Sequence, residues 1–371
     1  MKLSFIREKL LTALNVALKM VSTQVTLPIL SNVMIESDKG RLKIAATDLE
    51  VGMETWIGAK IIKDGSITLP AKLLFELLNS ISDEKITLEE TDNKIKINTQ
   101  TSKSILRGMP ASDFPLIPHI KDPIGVFEIK SADLKNAVMR NLFSCAVDET
   151  RPVLTGILFK VTKEAFIFAA TDSYRLSEAK ILAKNKVSKD LEVIIPKRTM
   201  NELVRIIGEN DEKVKIEIGE NQIAFSIGDI YFISRLIEGS FPEYGQIIPQ
   251  KFDTNVILDK SQLILKLKTA SLFSRDSANN IKIHLDKTTK ELIIYSYSQQ
   301  LGENQSLLSI DKFDGKDLKF SINSQFLQDT LNAIKQEKVE IKALDSLSAI
   351  AIKPLTGNDY ICIVMPLRQE E

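Results

Sequence analysis

Two histidines, two cysteines and one recurring aspartate are the residues of this 371-residue chain whose chemistry calls for a first look. His119 stands beside a proline and His284 lies in an alternating, strand-like run, and neither has partners spaced for a metal or for a nucleophile and its base. Structural or surface roles are expected for both. Cys145 and Cys362 sit far apart in apolar surroundings, without a CxxC or Cys/His spacing, and read as buried thiols. No GxxxxGK[ST] and no GxGxxG opening a helix offers a nucleotide cradle. Asp48 and Asp172 recur within Ala-Ala-Thr-Asp, which suggests paired carboxylates. Repetition at equivalent places of two domains would hold them apart, so strand-end turn or capping roles are expected instead. No catalytic residue, metal or cofactor is assigned.

The same tetrapeptide opens the reading of the elements. Ala45-Ala46-Thr47-Asp48 returns as Ala169-Ala170-Thr171-Asp172, an offset of 124 residues, and Leu27-Pro28-Ile29-Leu30 is matched at that offset by Arg151-Pro152-Val153-Leu154. Leu69-Pro70-Ala71-Lys72 opens an apolar-periodic helix through Ile81, and Ile195-Pro196-Lys197-Arg198 opens another through Ile207, with proline near the start where its missing N–H costs least. Proline-rich stretches at Met109 to Pro115 and Phe241 to Pro249 close the units. A fainter third copy has helices at Ser261 to Phe273 and Asn323 to Ile334, the first answering Phe5 to Met20 and Ser131 to Phe143, and closes on Val364-Met365-Pro366. Strand-like alternation, as in Lys213-Val214-Lys215-Ile216-Glu217-Ile218, fills the rest. The expected fold is α+β, with three similar domains at 1–121, 122–251 and 252–371, each packing two helices on antiparallel sheets.

Composition sets limits. Lys and Arg number 49 against 49 Asp and Glu, so bulk charge does not hold nucleic acid to this chain. No uncharged run is long enough to span a bilayer and the N-terminus lacks a signal-peptide pattern, so no membrane role and a cytoplasmic location are expected. Charge is nevertheless segregated. The six helical windows sum to +10 and leave −10 for strands and loops. A helix-lined face would attract phosphate without reading bases. Its candidate cations are Arg7, Lys9, Lys19, Lys72, Lys135, Arg140, Lys197, Arg198, Arg205, Lys266 and Lys268. Solvated lysines on exposed helix faces are the plainer alternative.

The ordered marks Leu27-Pro28-Ile29-Leu30, Ala46-Thr47-Asp48-Leu49-Glu50, Thr171-Asp172-Ser173-Tyr174-Arg175-Leu176, Glu238-Gly239-Ser240-Phe241-Pro242-Glu243-Tyr244 and Val364-Met365-Pro366-Leu367-Arg368 resemble the beta sliding clamp family, the processivity subunit of bacterial replicative DNA polymerase. The resemblance covers the whole chain. It implies a homodimer joined head to tail into a closed ring, helices inside, that encircles duplex DNA and is not an enzyme. It also implies a hydrophobic cleft that takes a short peptide from the polymerase catalytic subunit, the clamp-loader ATPase and repair proteins. The matching positions are Leu154, Thr171, Tyr174, Arg175, Leu176, Pro242, Ile247, Asn323, Phe326, Val364, Met365, Pro366 and Leu367. Departures from the family pattern are Ser173 and Tyr174 where Gly and His are frequent, Gln246 for an Arg, Gln24 for a basic residue, and the acidic tail Gln369-Glu370-Glu371. A monomeric peptide-binding scaffold that works off DNA remains the second reading, and an enzyme of unrecognised type the third.

Overall fold

The computed structural model describes residues 1–21, 27–208, 213–357 and 359–368, so Gln24 and the tail 369–371 lie outside the described residues. Among the described residues six helices form: α1 (Arg7–Ala17), α2 (Ala71–Ser80), α3 (Ser131–Met139), α4 (Lys197–Ile206), α5 (Lys260–Ser271) and α6 (Ser324–Ala333). None of them is long and apolar enough to cross a membrane. Each repeat opens on a strand, Lys2–Ile6, Gly125–Lys130 or Thr254–Asp259; the helices expected from Ser131 and Ser261 begin at Ser131 and Lys260, and only in the first repeat did the apolar periodicity not separate strand from helix. Phe5, expected to start a helix, is therefore in a strand. Hydrogen bonding to Val51–Lys63 on one side and Lys85–Thr91 on the other holds it there.

By its contacts the chain forms two compact units, Met1–Leu134 with Glu202–Leu236, and Lys135–Asn201 with Ile237–Glu371. Sheet pairing explains the partition. In the first unit Val51–Lys63 runs antiparallel to Ile230–Arg235, so half of the central repeat continues a 12-stranded sheet begun by the first repeat. In the second unit Arg175–Leu182 runs antiparallel to Tyr360–Val364 within a nine-stranded sheet, beside which lies a four-stranded one.

Apolar residues at helical spacing cover these sheets. In α1 Leu10, Leu14 and Ala17 are buried; in α5 Leu263, Leu267 and Ala270; in α6 Leu327 and Leu331. Each buried leucine contributes about 2 kcal/mol relative to exposure. Strands obey the alternation expected of them: Val214, Ile216 and Ile218 are buried while Lys213 and Lys215 face water.

The recurring Thr-Asp pair closes a turn in each unit. Thr171 donates its hydroxyl to the Arg175 carbonyl at 2.7 Å and accepts from the Ser173 N–H, while Asp172 accepts from the N–H groups of Tyr174 and Arg175 at 3.0 and 2.9 Å. Thr47 and Asp48 make the same four bonds to Val51, Leu49, Glu50 and Val51. Leu49 and Ser173 both take the left-handed conformation, at φ 79° and 78°. The aspartates are turn formers, as their repetition implied.

Candidate functional site

The second unit gathers most of the cleft positions. Arg175 lies opposite Val364 and Leu176 opposite Ile363 across paired strands. Beyond the strand, the Met365 N–H donates to the Tyr174 carbonyl and the Leu367 N–H to the Ser321 carbonyl, both at 2.8 Å. The closing segment Val364-Met365-Pro366-Leu367 is thereby tied to the nine-stranded sheet at one end and the four-stranded sheet at the other. Leu176, Ala349, Ala351 and Ile363 make an apolar floor on which Tyr244, Ile248, Phe252 and Met365 pack.

An aromatic wall stands beside that floor. The Tyr174 and Phe326 rings lie 6.3 Å apart, with Tyr174 62% exposed. The Arg175 guanidinium sits 4.5 Å from the Phe326 ring centre and 5.2 Å from that of Phe143. Its nitrogens donate to Asp172 at 2.9 Å and Asp329 at 2.6 Å, and only 11% of the side chain is exposed. Arg175 is thus a structural cation clamped between rings and carboxylates. Asn323 caps α6, accepting from the N–H groups of Gln325 and Phe326, and so sets the turn from which Phe326 projects.

Pro242 and Ile247 belong to the segment that carries Tyr244. The Ile247 N–H donates to the Tyr244 carbonyl at 2.9 Å, and Ile247 is 44% exposed. Pro242 borders a cavity of about 270 Å³ lined also by Leu158, Ile167, Glu178 and Tyr244. Leu154 is 2% exposed at the end of the short turn Pro152–Leu154. Sequence reasoning missed Phe143, Asp329 and Glu178. Asp329 had a signal, since it lies three residues after Phe326 on one helix and therefore shares its face.

Burial keeps both thiols protonated. Cys362 lies beneath the floor, fully buried, 3.1 Å from the Thr330 hydroxyl, and burial pushes its thiol up to about 12. Cys145 is likewise pushed up to about 12. The Tyr244 hydroxyl is held well above its ordinary 10 by burial and by the Glu178 carboxylate. An apolar floor, an exposed ring and a turned backbone can bind an extended peptide; protonated thiols do not supply a nucleophile.

The phosphate-facing candidates divide. Lys9, Lys72, Arg198, Arg205 and Lys268 are exposed, and Arg7, Lys19, Lys135, Lys197 and Lys266 half-buried. Arg7 donates to the carbonyls of Leu78 and Ile81 at the end of α2, Lys72 pairs with Glu76, and Arg205 pairs with Glu202. Arg140 is a correction: it is 5% exposed, bonds to Asp359 at 2.6 Å and lies against the Tyr360 ring, so it is not a surface cation. The charge segregation also shrinks. The helices as they form hold ten Lys and Arg against five Asp and Glu, a net +5, because Lys2 and Lys130 belong to strands and Lys19, Arg140 and Lys335 lie past helix ends.

Comparison with known proteins follows the same order of repeats. A "Beta sliding clamp" of Synechococcus elongatus is 29% identical over 374 residues, 99% of each chain. The DNA polymerase sliding clamp of Bacillus subtilis superposes with a TM-score of 0.94 at 26% identity, and a Pseudomonas aeruginosa sliding clamp bound to griselimycin with 0.95 at 27%, both over 100% of each chain. Family models for the N-terminal, central and C-terminal domains of the DNA polymerase III beta subunit match residues 1–118, 128–243 and 245–368. With three successive domain matches covering most of its length in order, the chain belongs to the DNA polymerase III beta subunit family.

Proposed function

We propose that the chain is a DNA sliding clamp. Two copies join head to tail into a closed ring of repeats at 1–121, 122–251 and 252–371, and duplex DNA passes through without being read in sequence. The observation that carries this reading is the match of the whole chain, rather than one module of it, to clamps. The chain has no catalytic part in this account: polymerisation belongs to the partner, and the ring confers processivity by tethering it.

Closure is supported by two sheet ends. The strand Lys103–Arg107 ends the path of the 12-stranded sheet, with Ile105 62% exposed between Lys103 and Arg107. The strand Gly302–Ser309 ends the four-stranded sheet, with Leu307 44% exposed and Glu303 facing water. Each presents backbone groups that a second chain can pair, and the side chains are complementary in charge. Joining one edge to the other in a second copy is heterologous, and closes when the rotation allows.

With a net +5 on the helices of each chain, attraction to phosphate is modest and salt-sensitive, so topology retains the ring. The polymerase catalytic subunit, clamp-loader ATPase and repair proteins dock a short extended peptide on the floor around Leu176 and Met365, where adaptable methionine and exposed backbone suit pockets for alternate side chains. Sedimentation equilibrium checks the ring. The wild-type chain, of 41.6 kDa, runs at twice that mass, and Ile105→Lys runs at 41.6 kDa with unchanged peptide binding. A monomeric wild type that binds peptide would favour the scaffold reading.

A further inference from the structure

The segment that carries Pro242 and Ile247 is fastened to the sheet by a side-chain hydrogen bond from Tyr244. Tyr244 lies between those two residues in sequence, packs against the apolar floor of Leu176, Ala349, Ala351 and Ile363, and donates its hydroxyl to Glu178 at 2.6 Å. Glu178 is 7% exposed on the strand Arg175–Leu182, and its other oxygen receives Lys180 at 2.9 Å. Phe241 meets Tyr244 edge to face at 6.1 Å. Further back, Ile237 bridges to Ile194, and Gly239, at φ 118°, passes so near Val153 that a Cβ there would come within 2.8 Å of it. Glu243 and Gly245 to Ile247 are the exposed residues of the segment, and the Ile247 N–H turns back to the Tyr244 carbonyl.

We infer that the Tyr244–Glu178 pair is the positioning element of the peptide cleft, setting where Pro242 and Ile247 stand against the floor. The inference rests on the cleft reading given above. A buried carboxylate with one oxygen held by a lysine leaves its second oxygen in a fixed place, and a charge-assisted bond to it is short and directional. The cavity of about 270 Å³ that Pro242, Tyr244 and Glu178 line leaves open space into which the segment can move when the bond is lost. Packing alone resists this weakly, because the ring of Tyr244 can shift along an apolar floor, whereas moving its hydroxyl off Glu178 breaks a directional bond.

The test measures binding of a fluorescent apolar hexapeptide derived from a polymerase C-terminus by anisotropy, using the full chain. Tyr244→Phe and Glu178→Met each weaken binding about three- to tenfold, the double variant is no worse than either single, and Glu178→Gln, which keeps an acceptor oxygen, restores binding to within about twofold of wild type. A purely structural, space-filling role predicts that Glu178→Met binds as well as Glu178→Gln. Met365→Ala serves as the control for the site. If the wild type binds and Met365→Ala weakens it while Tyr244→Phe and Glu178→Met do not, the positioning role is overturned and the cleft stands. If neither wild type nor variants bind, both are overturned.

Discussion

Asp329→Asn probes the clamp on Arg175 and through it the aromatic wall of the cleft. The guanidinium is 11% exposed and shared by Asp172, 15% exposed, and Asp329, 25% exposed. Removing one member of a fully buried pair costs about 3–5 kcal/mol, and an exposed pair contributes about 0–1. Two features reduce the larger figure: the site is partly solvated, and Arg175 keeps Asp172 as its counter-ion. The expected cost is about 1.5–2 kcal/mol, or roughly ten- to thirtyfold in a local opening constant. The single tryptophan, Trp56, lies in the other unit and bonds to Asp38, so its fluorescence is a poor reporter here. Hydrogen exchange of the Met365 amide, bonded to the Tyr174 carbonyl, reads the region directly. It should speed up about ten- to thirtyfold, and half a molar salt should not erase the difference, since burial limits screening. Unchanged exchange would mean that Asp329 does not hold Arg175; a hundredfold or larger rise would mean that Asp172 does not compensate.

Ser173→Gly relieves a left-handed residue at φ 78° and should raise stability by about 0.5–1 kcal/mol, the conformational relief less the entropy glycine adds to the unfolded chain; a lower melting temperature would contradict it. Burial raises the thiols of Cys145 and Cys362 from 9.0 to about 12, so the unfolded chain releases these protons first. Stability is then intact below pH 9 and falls as pH rises toward about 12, and Cys362→Ala should flatten the melting-temperature profile in that window alone. Lys9→Ala and Lys268→Ala should each lower the slope of log affinity against log salt for linear duplex by about one. Arg140→Ala should leave that slope unchanged while costing about 2–4 kcal/mol in thermal or urea unfolding, because its guanidinium is buried against Asp359 and Tyr360.

The repeat was legible because its marks are local. Thr-Asp at a strand end is a turn read from two side chains, and Pro70 before α2 or Asn323 before α6 marks a helix start by its own chemistry. The opening strand of the first repeat was not legible. Lys2–Ile6 is five residues long and merges with the apolar pattern of α1, and only pairing with strands some sixty and eighty residues away distinguishes it. The partition into two compact units depends on similarly distant pairings, Val51–Lys63 with Ile230–Arg235 and Arg175–Leu182 with Tyr360–Val364. At the cleft, residue types suggested core, and the resemblance supplied their role. The commitment of Arg175 to Asp329, 154 residues away, and of Arg140 to Asp359, 219 away, follows from tertiary packing that periodicity does not encode.

Retention by topology is tested directly by loading the protein onto nicked circular DNA with a clamp-loader ATPase, isolating complexes in high salt, and then linearising the circle. A closed ring stays on the intact circle in high salt and leaves on linearisation. Loss from the intact circle in high salt, with loader activity verified, would mean that charge alone held it and would contradict the ring.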